Sequence, residues 1–348
     1  MKIGKFVPRL GVAALASAAL LLSGCGSPAA TTPAAPGGTE TPATQAPETP
    51  AAKALTIGLV MLQGDEYFRN IEMGLQEAVQ ADGGTVIAAN STNDPGTEAS
   101  AVQNMIQRQI DALLIQPVSG DASVATMKLA VDAGIPVICY GNCGGPTVDP
   151  TLVKGAAQSD NTDLGAATGR AAAEYIKANL DGAAKIGILN CDSAAETCKL
   201  RKAGFKAALE EAGIKADYVA DQEGYLADKA TPVATNMLSA SPEINLLWAA
   251  NEGGTVGLVT AVKASGNRVA VFGTDISEQI AGFVLAEDDI LQATTGQDPV
   301  GTVQAAYQMA KNAIAGQAND PIEQLVPGVT YSRADTATVE AYLAGLGG

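Results

Sequence analysis

Short apolar runs, each followed by a stretch of helical period, recur along most of this chain. The runs are Leu55–Met61, Ala112–Ile115, Ile135–Cys139, Lys185–Leu189, Ile244–Trp248 and Val269–Phe272. Nearly continuous apolar segments of this length suit strands buried on both faces, as in parallel sheets. Intervening segments such as Ile71–Val79 repeat their apolar residues at helical spacing. Alternating strands and helices imply an α/β fold with doubly wound parallel sheets and right-handed crossovers. An internal echo implies two like domains. Ile57-Gly58-Leu59 precedes a helix running from Gly74 to Gly83, and Ile186-Gly187-Ile188 precedes one running from Gly204 to Gly213. Amphipathic, Ala-rich helices resemble one another in any case, but the separations agree to within one residue, which favours a duplicated unit. The closing glycines suit helix C-caps. The opening ones would let each helix sit close to its sheet.

A length of 348 residues allows about two domains. The net charge of −16 argues against a nucleic-acid partner, which needs a basic face. The chain has no histidine. This removes Ser-His-Asp and Cys-His catalysis and histidine-ligated metal. No convincing carboxylate pair for hydrolysis is present. An enzyme is still possible, but only through carboxylates, Lys, Tyr or Cys.

The N-terminus is an address. Lys2, Lys5 and Arg9 precede thirteen uncharged, mostly apolar residues, Leu10–Leu22. A spanning helix needs about 20, so the run reads as a signal peptide. Leu22-Ser23-Gly24-Cys25 resembles the bacterial lipobox, which implies cleavage before Cys25 and lipidation of its sulfur. Residues 1–24 are then a signal peptide. Residues 25–53, with six prolines and no apolar period, are a tether. The folded part is expected outside the cytoplasmic membrane, at the cell surface or in the periplasm, held by a lipid anchor.

Ligands of doubly wound sheets bind beyond the carboxyl ends of the strands. Those ends read Gln63 to Phe68, Gln116 to Ser119, Tyr140 to Asn142, Asn190 to Asp192, Asn251-Glu252 and Thr274-Asp275. Short polar groups with a few aromatics suit a polyhydroxylated ligand.

From about Leu55 to Val329 the chain resembles the type I periplasmic binding proteins, the ribose-binding group in particular. The resemblance rests on Asp65-Glu-Tyr-Phe68 with Gly74, Ala133-Gly-Ile-Pro-Val-Ile138, Ser159-Asp-Asn161 with Gly165, Arg201-Lys-Ala-Gly-Phe205, Ala250-Asn-Glu252, Phe272-Gly-Thr-Asp275 and Gln297-Asp-Pro299. It implies two domains facing across a cleft and joined by a three-segment hinge, with crossings near 157–161, 295–298 and 325–328. The N-terminal domain would be 54–158 plus 298–325, and the C-terminal domain 159–297 plus 326–348.

The resemblance also implies the ligand contacts. Asp65 would hydrogen-bond a sugar, and Tyr67 and Phe68 would pack on its ring. Arg201 would donate in a fork, Tyr225 would supply the second domain's aromatic, and Asn142, Asn251, Asp275 and Gln297 would add polar contacts. Plainer roles exist: core packing for Tyr67 and Phe68, a helix cap for Asp65, an ion pair with Glu196 or another surface acid for Arg201, a turn for Asp275. Where ribose-like members carry Asp-Arg, this chain has Gly141 and Asn142, which puts ribose itself in doubt. Four cysteines remain after Cys25, and three pairings are possible. Disulfides Cys139–Cys143 and Cys191–Cys198 are favoured, because a bridge between the domains would lock the hinge. The implied function is capture of a monosaccharide or a polyol, or else of a non-sugar polar solute such as a nucleoside or an autoinducer-like compound, by a monomeric lipoprotein that serves an ABC permease; the resemblance implies no enzyme, no cofactor and no metal. A sensory protein for chemotaxis or signalling would need the same closure.

Overall fold

The computed structural model describes residues 53–64, 66–119, 121–143, 149–191 and 195–346. The signal peptide, the lipobox with Cys25 and all of the tether but Lys53 lie outside them, as does Asp65. The chain first lays down β1 (Thr56–Met61), α1 (Glu66–Ala81), β2 (Thr85–Asn90), α2 (Pro95–Gln107), β3 (Ala112–Ile115), α3 (Val124–Asp132), β4 (Val137–Tyr140) and β5 (Gly155–Ser159). It continues through α4 (Asn161–Asn179), β6 (Ala183–Asn190), α5 (Glu196–Glu211), β7 (Lys215–Glu223), α6 (Ala227–Ala240), β8 (Leu246–Ala249), α7 (Glu252–Ser265), β9 (Ala270–Thr274), α8 (Glu278–Leu285) and β10 (Leu291–Gly296). It ends with α9 (Pro299–Ile314), β11 (Glu323–Val326), β12 (Val329–Ser332) and α10 (Thr336–Leu346).

These strands build two six-stranded sheets, ordered β11-β5-β4-β3-β1-β2 and β12-β10-β9-β8-β6-β7. The first is parallel throughout. The second is parallel except for β12, which runs antiparallel to β10. The two orders correspond strand for strand, so the echo in the sequence marks one topology used twice. Each sheet is covered on both faces. Ile57, Leu59 and Leu114 pack with α1 and α9, while Val60, Leu113 and Ile115 pack with α2 and α3. In the second sheet Ile186, Ile188 and Trp248 face α4 and α5, and Leu247 and Val271 face α6 and α7. Alternate residues of one strand feeding opposite cores follow from the two-residue period of a strand.

The chain passes between the sheets three times, at Asp160, at Gln297-Asp298 and at Pro327-Gly328. All three lie in the segments expected of the hinge. The crossings are bonded to one another. Ser159 Oγ donates to Gln297 Oε1 at 2.8 Å, and the Asp160 amide donates to the Val326 carbonyl at 2.8 Å. Asp160 and Asp298 also cap the helices that follow them, accepting from the amides of Asp163 and Gly301.

The opening glycines of the echoed helices do not face their sheets. Gly74 lies against Val300 and Val303 of α9. A Cβ on Gly204 would stand 2.0 Å from the Thr162 carbonyl oxygen of α4, and one on Gly165 would stand 1.8 Å from the Arg201 carbonyl oxygen. Helices α4 and α5 therefore touch backbone to backbone, and only glycine fits at the contact. Replacing Gly204 by Ala is expected to destabilise the protein by about 3 kcal/mol, because backbone blocks the added methyl. Gly213→Ala meets no obstruction but keeps a φ of 72°, and it should cost about 1 kcal/mol. Urea unfolding midpoints of the two variants check the order.

Candidate functional site

The α4–α5 contact delivers Arg201 to the carboxyl end of the second sheet. Its side chain is only 7% exposed. Nε donates to Asn161 Oδ1 at 3.1 Å, and Nη1 donates to the Ala250 carbonyl and to Asp275 Oδ2, both at 3.0 Å. The surface pairing with Glu196 does not form; Glu196 lies beside Lys199 instead. Asp275 follows β9 with a φ of 70°, a left-handed conformation uncommon for a residue with a Cβ. Bonds on both sides hold it there. Its amide donates to Thr295 O at 2.9 Å, and Thr294 Oγ1 donates to its carbonyl at 2.6 Å. Asp275 Oδ2 also accepts the Glu252 amide at 3.2 Å, while Oδ1 is buried with no hydrogen-bond partner.

Asn251 is committed to structure at both ends of its amide. Oδ1 caps α7 through the Gly254 amide at 3.1 Å, and Nδ2 donates to the Tyr225 carbonyl at 2.9 Å. Tyr225 itself is exposed, on the loop after β7. Gln297 accepts from Ser159 within the hinge.

In the first lobe Tyr67 is half-buried, and Phe68 is buried in the core beside Ile71 and Leu75. Their rings meet edge to face at 5.2 Å. Asn142 is exposed and lies beyond β4. Gly141 has a φ of 71°, and the place of its absent side chain is taken: a Cβ there would be 2.1 Å from Gln116 Oε1. That oxygen is buried with no hydrogen-bond partner, as is Asn190 Oδ1 at the end of β6. Gln116 and Asn190 stand at strand ends read from the sequence, yet neither was among the expected contacts. The loop after β3 is held by Glu98, whose Oε2 accepts the Val118 amide at 2.8 Å. Disulfides join Cys139 to Cys143 and Cys191 to Cys198, the favoured pairing. One spans the Gly141-Asn142 turn; the other fixes the start of α5 one turn before Arg201. Among the described residues no group of His, Cys, Asp or Glu could hold a metal ion.

A cavity of about 900 Å³ opens between the lobes. Glu66 and Tyr67 of α1 line one side, Asp275, Tyr331 and Tyr342 the other, with Gln297 at the hinge. It brings together three of the expected contacts, Tyr67, Asp275 and Gln297. Tyr342 Oη donates to Glu66 Oε1 across it at 2.5 Å, so one hydrogen bond joins the lobes. No motif or period pointed to Tyr331 or Tyr342, which come from the far C-terminal segment. Burial, and then the Glu66 carboxylate, push the Tyr342 phenol far above its ordinary value. Burial and Asp298 push Tyr331 up to about 12.

Removing the bridging hydroxyl with Tyr342→Phe should cost the joined form about 1 kcal/mol, a shift of about fivefold toward separated lobes. Small-angle scattering would report a larger radius of gyration. A phenol whose pKa is raised by folding contributes fully below the unfolded value of about 10 and is lost as pH rises through the folded one. The wild-type radius should therefore stay constant from neutral pH to about 10 and grow only above that.

The chain matches the periplasmic binding protein domain over residues 57–318. It is 31% identical over 289 residues to the ABC transporter periplasmic-binding protein YphF of Escherichia coli, covering 82% of this chain and 88% of that one. It is 30% identical over 288 residues to the D-ribose/D-allose-binding protein of Pseudomonas aeruginosa, covering 78% and 85%. The crystal structure of an ABC transporter periplasmic solute-binding protein from Actinobacillus succinogenes with bound D-allose superposes with a TM-score of 0.66 at 26% identity, covering 82% of this chain and 99% of that one. Two corresponding α/β sheets, three crossings and a cavity lined from both lobes agree with these likenesses, and the chain belongs to the periplasmic binding protein family.

Proposed function

We propose that the protein is the solute-binding lipoprotein of an ABC importer, closing its lobes on a small polar ligand, a monosaccharide or polyol, and presenting it to a membrane permease. The lobes are taken as 54–158 plus 298–325 and 159–297 plus 326–348. The observation that carries the reading is the buried Arg201–Asp275 pair at the carboxyl ends of one sheet, with Tyr67 of the opposite lobe across the same cavity. Asn142, Tyr225, Asn251 and Gln297 would complete the grip. Phe68 would act from the core by fixing the Tyr67 ring. Closure needs only that the ligand contact both lobes at once. No bond in the ligand changes, so turnover is not expected. Cleavage before Cys25 and acylation of its sulfur would hold the mature chain at the outer face of the cytoplasmic membrane. One acyl chain binds membranes marginally, and two or more hold firmly.

A saturable shift in unfolding temperature with a monosaccharide or polyol is the expected result, amounting to about 2.7 kcal/mol at a hundred times Kd. Tyr67→Ala should weaken that binding about tenfold by removing an aromatic face. Silence across sugars, polyols and nucleosides would count against the reading. In cells, Cys25→Ser should move the protein from the membrane fraction to the soluble one. A neighbouring receptor gene in place of permease and ATPase genes would favour the sensory role instead.

A further inference from the structure

Helix α10 belongs to the second lobe but reaches toward the first. Val339 is its one fully buried residue, and it shares a core with Ile280 and Val284 of α8. Tyr342 and Leu343, three and four residues further on, pack partly against the same core. Tyr342 also meets Tyr331 edge to face at 5.5 Å. Ala341, Gly345 and Leu346 line the cavity between the lobes.

Helix α1 bounds that cavity from the first lobe. Glu66, Asn70, Met73, Glu77 and Gln80 line it and recur every three or four residues, so they form one stripe along the helix. Gly74 beside the stripe lies against Val300 and Val303 of α9, which fixes α1 on its own lobe. The bond from Tyr342 Oη to Glu66 Oε1 joins the two helices at the first residue of α1. About two turns further along the stripe, Met73 is 54% exposed, the most exposed large apolar side chain among the described residues. Leu346 stands about one turn beyond Tyr342 and lines the same gap. A Cβ on Gly345 would meet nothing within 4 Å, so α10 carries no side chain there to hold α1 off. An uncovered methionine and the end of a helix thus bound one cavity from opposite lobes, already aligned by a hydrogen bond.

We propose that α1 and α10 are the two halves of a clasp: with the Glu66–Tyr342 bond as its first contact, further rotation about the hinge brings Met73 onto the Gly345–Leu346 end of α10 and shuts that side of the cleft. Burial of Met73 drives the approach, and methionine adapts readily to a surface that it meets in only one state. Charge opposes it. Glu77 lines the gap, and the carboxyl end of a helix is negative, so the two repel. The clasp requires that the lobes move and is indifferent to what the cleft binds, so it goes beyond the importer reading.

Cysteine pairing in the mature lipoprotein, with no solute added, tests it. Met73→Cys with Gly345→Cys replaces two exposed residues, and a disulfide joins them only when their Cα atoms come within about 7 Å. Gly345→Cys with Lys128→Cys, on an exposed part of α3 outside the lining, is the control pair. Copper-phenanthroline is the oxidant, and salt at about 0.5 M screens the repulsion from Glu77. Peptide mass spectrometry should find α1 and α10 joined within one chain, tenfold or more faster than the control pair. Tyr342→Phe in the same background should slow the joining about fivefold by loosening the first contact. A pair that joins no faster than the control overturns the clasp. So does a rate that Tyr342→Phe leaves unchanged, since a frayed chain end would reach α1 without that bond. Either result leaves the importer reading standing, because that reading is tested by ligand binding.

Discussion

The second lobe's half of the cleft depends on one buried ion pair. A guanidinium removed from water is expensive unless its donors are met, and removing one partner of such a pair leaves an uncompensated charge. Arg201 meets its donors by drawing on three elements: Asn161 at the start of α4, the Ala250 carbonyl after β8, and Asp275 after β9. Because the fork is rigid, satisfying it fixes the relative positions of those three strand ends and helix starts. The arginine reaches them only because α4 and α5 touch at Gly165 and Gly204. Glycine inside a helix costs about 1 kcal/mol relative to alanine, and here that loss secures the approach of the two backbones. The left-handed backbone at Asp275 is the strained member of the arrangement, and two backbone-directed hydrogen bonds hold it.

The first lobe organises its strand ends without a comparable pair. A disulfide of sequence separation 4 holds the turn after β4, and Glu98 holds the loop after β3 through one amide. So short a loop removes little entropy from the unfolded chain, so the bridge at Cys139 acts chiefly on geometry. The two lobes thus present different chemistry to the same cavity. One offers a neutralised carboxylate with a spare oxygen. The other offers the carboxylate of Glu66 and the ring of Tyr67. Among the described residues that line the cavity, neither half contributes a lysine or an arginine.

The central strands were legible because both faces of each are buried: β1, β3, β4, β6, β8 and β9 all fall on apolar runs. The edge strands β2 and β7 are half-exposed and carry a mixed pattern. Strands β5 and β10 are buried yet built from Gly, Ala, Thr, Gln and Ser, with Leu291 the one large apolar residue, so they have little apolar signal. Arg201 and Asp275 were each visible as strand-end or motif residues. Their partnership was not, because 74 residues separate them. Phe68 could have been read as core from spacing alone. It stands three and seven residues before Ile71 and Leu75, whereas Tyr67 is turned by about 100° on the helix and meets the cavity. The glycine pair of the echo was seen, but its true neighbour, another helix, is set by tertiary packing that no local pattern encodes.

The hinge determines how much work a ligand must do. The crossings are bonded to one another through Ser159 and Gln297 and through Asp160 and Val326, which favours rotation about a shared axis over independent movement of three strands. A ligand shifts the balance of open and closed forms only by its differential affinity for them, and a swing from 1:99 to 99:1 needs about 5.5 kcal/mol. The Glu66–Tyr342 bond joins the lobes directly. At about 1 kcal/mol it supplies a minor share of such a swing. Most of the closing energy must then come from groups that meet a partner only when the cleft is filled. Asp275 Oδ1, buried without a hydrogen-bond partner in a residue that lines the cavity, is such a group in the second lobe. A ligand that donates to it while packing on Tyr67 of the first lobe touches both lobes at once, so recognition and closure become one event.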